Sequence, residues 1–131
     1  MDATVGDGCL WATGFTEPYY KADLSETNKL KFVKYRLPAV SEGNVSVTPI
    51  DSFEAPMISV TQGSIIRNGK LYLPFGFGND ERYPGKLCVY DLDLKKKIVD
   101  IDFTESLNGY EPQCVLEYNG HLYVVVTRYN V

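Results

Sequence analysis

The stretch Ser64-Ile65-Ile66-Arg67-Asn68-Gly69-Lys70-Leu71-Tyr72-Leu73 decides the fold. Two short runs rich in β-branched and aromatic residues flank an Asn-Gly pair. Both central residues of a type I′ turn need positive φ, which Asn and Gly tolerate best, so the stretch predicts a tight antiparallel hairpin. The phrase returns 51 residues later, where Asn119-Gly120 separates Val115-Leu116-Glu117-Tyr118 from His121-Leu122-Tyr123-Val124. Gln62 then matches Gln113, Asn68 matches Asn119, Gly69 matches Gly120, Leu71 matches Leu122 and Tyr72 matches Tyr123. An earlier copy begins the chain, with Asp7-Gly8-Cys9-Leu10-Trp11 aligned on Asn68-Gly69-Lys70-Leu71-Tyr72. Self-similarity at such a period is the mark of a repeat architecture.

Working outward, apolar runs broken by Gly, Pro, Asn and Asp mark strands at 3–5, 9–13, 30–37, 45–50, 63–67, 70–75, 86–92, 97–103, 113–118 and 121–128. The segment Lys29-Leu30-Lys31-Phe32-Val33-Lys34-Tyr35 resembles Lys86-Leu87-Cys88-Val89-Tyr90-Asp91-Leu92, and 45–50 stands to it as 98–103 stands to the second. Helix is confined to single turns at 23–28 and 104–108. The repeating unit is four antiparallel strands in about 50–60 residues, the long end of the range for propeller blades. Blade-like units fall at 1–52, 58–104 and 111–131.

Composition fits that reading. Apolar residues make up 44% and charged residues 23%, enough for a packed core and against disorder. The net charge of −4 argues against a nucleic-acid or anionic-membrane binder, which needs a basic face. No apolar run is long enough to span a bilayer as a helix. Met1 to Gly8 lacks the basic and apolar regions of a signal peptide, so the chain reads as cytoplasmic or as a processed secreted or periplasmic piece. Cys9, Cys88 and Cys114 are odd in number, far apart and set in apolar stretches, which predicts buried free thiols.

Taken together, Asn68-Gly69-Lys70-Leu71-Tyr72, Leu87-Cys88-Val89-Tyr90-Asp91-Leu92 and Lys97-Ile98-Val99 resemble a β-propeller blade of the YVTN/NHL/quinoprotein-like kind. The resemblance implies an all-β chain of antiparallel four-stranded blades, about two and a half of them. Closed propellers have at least four blades. The expectation is therefore a piece of a larger propeller, whose remaining blades come from a longer chain or another chain; an open twisted sheet pair, or a small antiparallel barrel or sandwich, is the alternative. Two copies are not expected to complete one another neatly, because both loose ends supply inner strands.

No residue set reads as catalytic. The single histidine, His121, follows a hairpin turn and is expected in solvent. A nucleophile elbow and zinc spacing are absent from the sequence. Phe75-Gly76-Phe77-Gly78-Asn79-Asp80 is glycine-rich but lacks the Lys-Ser/Thr ending of a phosphate loop. Asp91-Leu92-Asp93 and Asp100-Ile101-Asp102 read as exposed charge on outer strands rather than as calcium loops. Asn44-Val45-Ser46 is a glycosylation triplet that matters only in a secretory setting. No cofactor or metal is implied.

Binding chemistry gathers in two places. Arg82 and Tyr83 sit in an aromatic loop, offering a planar donor fork and a rigid ring. Glu54-Ala55-Pro56 precedes Thr61-Gln62-Gly63, and Glu111-Pro112-Gln113 opens the last hairpin. Inner strands line a propeller's channel, so Gln62, Glu111 and Gln113 are expected at one mouth. The function expected is non-catalytic binding or scaffolding, with a glycan, peptide or partner protein as ligand. Thr61-Gln62-Gly63 followed by Asn68-Gly69-Lys70-Leu71-Tyr72 is also similar to blades of plant- and bacterial-type glutamine cyclotransferases. That second resemblance implies acyl or amide chemistry near Glu111, although this chain has Glu-Pro where that family has Glu-Gly.

Overall fold

The computed structural model describes residues 2–17, 27–39, 43–77 and 80–128. The candidate turn at 23–28 therefore lies largely outside the described residues. The strands are β1 (Asp2–Gly6), β2 (Cys9–Phe15), β3 (Lys29–Arg36), β4 (Pro49–Pro56), β5 (Ile65–Arg67), β6 (Lys70–Phe75), β7 (Lys86–Asp91), β8 (Lys96–Asp102), β9 (Glu111–Tyr118) and β10 (His121–Thr127), with one helical turn, α1 (Thr104–Leu107), before β9. They form three antiparallel sheets in chain order: β1-β2-β3-β4, β5-β6-β7-β8 and β9-β10. The chain is all-β, built of repeated antiparallel sheets.

The turns set the register. Asp7-Gly8, Asn68-Gly69 and Asn119-Gly120 all take positive φ at both residues, as type I′ geometry requires. Gly6 therefore faces Cys9, Arg67 faces Lys70, and Tyr118 faces His121. Leu10, Leu71 and Leu122 hold one equivalent place, and Trp11, Tyr72 and Tyr123 hold the next. The hairpin repeat read from the sequence stands.

The outer strands repeat in a different register from the one their letters suggest. Arg36 lies opposite Cys9 and Asp91 opposite Lys70, so Tyr35 matches Tyr90 and Val33 matches Cys88. Aligning Lys29 on Lys86 is two residues out. The fourth strand of the first sheet is also misplaced by the sequence: it is Pro49–Pro56, not 45–50, and residues 44–48 lie outside any strand. Both sheets carry a β-bulge at the equivalent step, between Lys34 and Tyr35 and between Val89 and Tyr90. Ile50 and Ile98 are the residues skipped. Val45-Ser46-Val47-Thr48 alternates like a strand, but only the later segment brings Phe53 opposite Phe32 and Ala55 opposite Leu30, with both side chains buried.

The core lies between the first two sheets. Trp11, Leu30, Phe32, Phe53 and Ala55 pack against Leu71, Leu73, Phe75, Cys88, Tyr90 and Leu92. Phe32 stacks on Phe53 at 4.4 Å between centroids and meets Tyr90 of the second sheet at 4.9 Å. Successive strand side chains point to opposite faces. Trp11 looks forward to the second sheet, and Leu71 looks back to the first. The third sheet repeats the rule: Val115 is buried beside Val124 on the face with Leu122, and Glu117 on that face meets Arg67 at 3.5 Å. The second and third sheets thus turn their leucine toward the sheet before, and the first and second turn their aromatic toward the sheet after. Packing is head-to-tail.

First strands tie the stack together, β1 lying against β5 and β5 against β9. The Val115 N–H donates to the Gly63 carbonyl at 3.0 Å, and the Gly63 N–H to the Gln113 carbonyl at 2.9 Å. Ser64, the equivalent of Val115, donates its N–H to the Asp2 carboxylate at 2.9 Å, so a side chain does there what a carbonyl does at the next junction. This approach needs glycine: a Cβ on Gly63 would sit 2.8 Å from Cys114 Cβ, and one on Gly6 2.5 Å from Ile66 Cβ.

All three cysteines are free. Cys88 is buried, and desolvation pushes its thiol up to about 11. At mildly alkaline pH a thiol-specific chromophoric reagent should leave Cys88 unmodified in the native protein and titrate three thiols in denaturant. Replacing Phe32 by Ala should lower urea-unfolding stability by about 3–5 kcal/mol. Gly6→Val should cost about 1–3 kcal/mol through overpacking against Ile66.

Candidate functional site

Strand direction sorts the loops into two ends. The positive-φ hairpin turns and His121 lie at one end. At the other lie the starts of β5 and β9, the loop between β6 and β7, α1, and the end of β10. The residues singled out for binding all fall at this second end.

Glu111 opens β9 and is 1% exposed. One carboxylate oxygen accepts a hydrogen bond from the Gln62 amide nitrogen. The other is buried and has no partner among the described residues. Gln113 lies where the β9–β10 register shifts, so it faces no residue on β10, and its buried amide nitrogen has no partner among the described residues. Bulges commonly re-aim side chains beside sites. Thr61 fixes the approach by donating its hydroxyl to the Pro74 carbonyl at 2.8 Å. The structure therefore joins Gln62 to Glu111 and holds Gln113 two residues along the same strand, leaving one acceptor and one donor unsatisfied. A buried polar group without a partner costs about 1–3 kcal/mol.

Arg82 and Tyr83 stand apart from that cluster, in the loop after β6. The loop is necked by Gly76, whose N–H donates to the Val60 carbonyl at 2.9 Å. Gly76 has a φ of 128°, and a Cβ there would lie 2.9 Å from Gly85 Cα. Arg82 is exposed, but its fork is engaged: Nε and Nη2 donate to the two Asp80 oxygens at 2.9 and 2.6 Å. This pairing holds the Asp80 carboxyl below the usual carboxylate range and the guanidinium above its own. The guanidinium lies 5.5 Å from the Tyr83 ring centre, and Phe77 meets that ring edge-on at 6.3 Å. Arg82 thus lies over Tyr83 with its fork taken up by Asp80.

The sequence reading missed a second such pair. Arg128, just after β10, lies 5.7 Å from the centre of the Tyr110 ring, just before β9. Because β9 and β10 form a hairpin, residues flanking its open end are neighbours. That pairing was the available signal.

Other sequence expectations resolve elsewhere. Glu54-Ala55-Pro56 does not open an inner strand; it ends β4, where Glu54 reaches Lys29 at 4.0 Å. Asp91 is not exposed charge. It is buried, accepts the Asp93 and Leu94 N–H groups at 3.0 and 2.8 Å, and takes Lys70 at 2.8 Å, which closes the β7–β8 turn. Asp100 and Asp102 both lie on Lys86, at 3.2 and 3.7 Å. Among the described residues no group of three His, Cys, Asp or Glu is placed to hold a metal. A cleft of about 350 Å³ between the first two sheets, lined by Cys9, Trp11, Lys34, Asn68 and Asp93 among others, lies at the turn end.

Backbone N–H donation by Leu94, with the Lys70 ammonium, holds the Asp91 carboxyl below its ordinary value. A carboxyl lowered by folding stabilises above its unfolded pKa of about 4 and loses that contribution as pH falls through the folded value. Asp91→Asn should therefore be less stable than the parent at neutral pH. The gap should narrow below about pH 4 in acid-unfolding curves followed by circular dichroism. No protein-family model, curated protein or solved structure matches the chain.

Proposed function

We propose that the chain is a β-propeller segment that works by binding, holding a glycan, peptide or partner protein at the end away from the hairpin turns. The four-strand meander, its repeated bulge and the head-to-tail faces support the blade reading. One observation carries the binding reading: Arg82 over Tyr83 and Arg128 over Tyr110 put two cation–aromatic pairs, with the exposed Phe77, at the end that also holds Gln62, Glu111 and Gln113. Rigid rings supply contact area at low entropic cost, and a few fixed polar groups orient a ligand.

The second reading is an enzyme of the glutamine-cyclotransferase kind, favoured by the unsatisfied oxygen of Glu111. The two readings separate by variant. A panel of immobilised glycans and peptides identifies a ligand, and titration calorimetry then compares variants on it. On the binding reading, Tyr83→Ala and Tyr110→Ala each weaken capture by about 1–3 kcal/mol, as moderate hot spots do, and leave the melting temperature nearly unchanged. On the enzyme reading, a glutaminyl peptide releases ammonia, and Glu111→Gln abolishes that release. Capture indifferent to both tyrosines would overturn the proposal.

A further inference from the structure

We propose that the outer margin between the first two sheets is a separate binding site, and that it takes a small organic acid carrying one ring-sized apolar group. A pocket of about 180 Å³ lies there, between the end of β4 and the start of β8. The first sheet supplies Glu54, Ala55 and Pro56, with Ile58 just beyond the strand; the second supplies Tyr90 and the lysine run at 95–97. Both sheets have all four strands. The pocket shares no residue with the cluster of Gln62, Glu111 and Gln113.

Its lining sets the apolar part of the ligand. Ala55, Pro56, Ile58 and the Tyr90 ring offer carbon, and lysine stems cover apolar surface while their heads stay in water. Sites for drug-sized molecules run to about 300–1,000 Å³. An apolar cavity of about 150 Å³ takes up benzene. This pocket therefore has room for one ring or one branched aliphatic group.

The polar groups set the rest. Tyr90 is 1% exposed, and its hydroxyl is buried with no partner among the described residues. Desolvation pushes the phenol up, so at neutral pH it stays protonated and can donate. A buried donor left unpaired costs free energy, which an acceptor on a ligand removes. The charges say which acceptor. Lys97 lies opposite Tyr90 across β7–β8 and shares its face. Lys97 pairs with Asp100, Lys95 crosses to Asp51 of the first sheet, and Glu54 lies 4.0 Å from Lys29. Each of these carboxylates is matched by a lysine. Lys96 is left over, because Asp91 across from it is taken by Lys70. The margin is thus basic in a chain of net charge −4. Exposed ion pairs of this kind are weak, so an incoming carboxylate can share their lysines.

Methyl NMR on the whole chain tests this, with phenylacetate as the probe and sodium chloride holding the ionic strength constant. The Ala55 and Ile58 methyl signals should shift and saturate, while those of Val115 and Val124 in the third sheet stay in place. Phenylacetamide has the same shape without the charge and should bind at least fivefold more weakly. Tyr90→Phe removes the hydroxyl and little else. It should melt no lower than the parent and bind phenylacetate at least fivefold more weakly. A chain with Lys96→Gln and Lys97→Gln, both at exposed positions, should lose phenylacetate affinity by a similar factor and keep its affinity for phenylacetamide. Absence of a saturable shift at Ala55 and Ile58 overturns the proposal, as do shifts centred on Val115. Equal binding of acid and amide overturns it too, and so does phenylacetate affinity indifferent to Tyr90→Phe.

Discussion

The two-residue turn with positive φ at both positions is the constraint on which the rest of this structure depends. It fixes the offset between paired strands, and a one-residue slip would move every side chain to the other face. Three such turns at equivalent places make a leucine and an aromatic alternate identically in three hairpins. The direction of packing follows. Leucine looks back, the aromatic looks forward, and a stack with unlike ends results.

Two further devices hold the stack at its spacing. Glycine at positions 6 and 63 lets neighbouring first strands approach to within hydrogen-bonding reach, where any side chain would meet Ile66 or Cys114. The aromatic group Trp11, Phe32, Phe53 and Tyr90 packs between the first two sheets. The same arrangement brings the openings of β5 and β9 together, so Gln62 and Glu111 meet because the scaffold brings them there. The tie between sheets also includes a polar atom left without a partner among the described residues.

The hairpins were legible because their information is local. Asn-Gly between apolar runs names both the turn and the register, and Gln62 and Glu111 stand at fixed distances from those turns. The fourth strand of the first sheet was not legible for the opposite reason. Its pairing is decided by Phe53 reaching Phe32 and by a bulge at Ile50, and neither leaves a mark in a run of residues read alone. Val45-Ser46-Val47 alternates convincingly but lacks a partner. Asp91 was misread for a related reason, since a carboxylate closing its own turn looks the same in sequence as one in solvent. Arg82 and Tyr83 were found as residue types, but the partner Asp80 that takes up the guanidinium fork was not. Tyr110 and Arg128 were missed because each is unremarkable until the hairpin between them is closed.

The forward-facing aromatic is the central claim, and acrylamide quenching of a single tryptophan tests it most directly. Trp11 is the sole tryptophan. Trp11 is compared with two chains that carry Trp11→Phe together with Tyr72→Trp or Tyr123→Trp. The account predicts that quenching rises in the order 11, 72, 123, with emission shifting to the red in the same order. Equal quenching at the three positions, or a Trp11 as open to quencher as a tryptophan at 123, would contradict it.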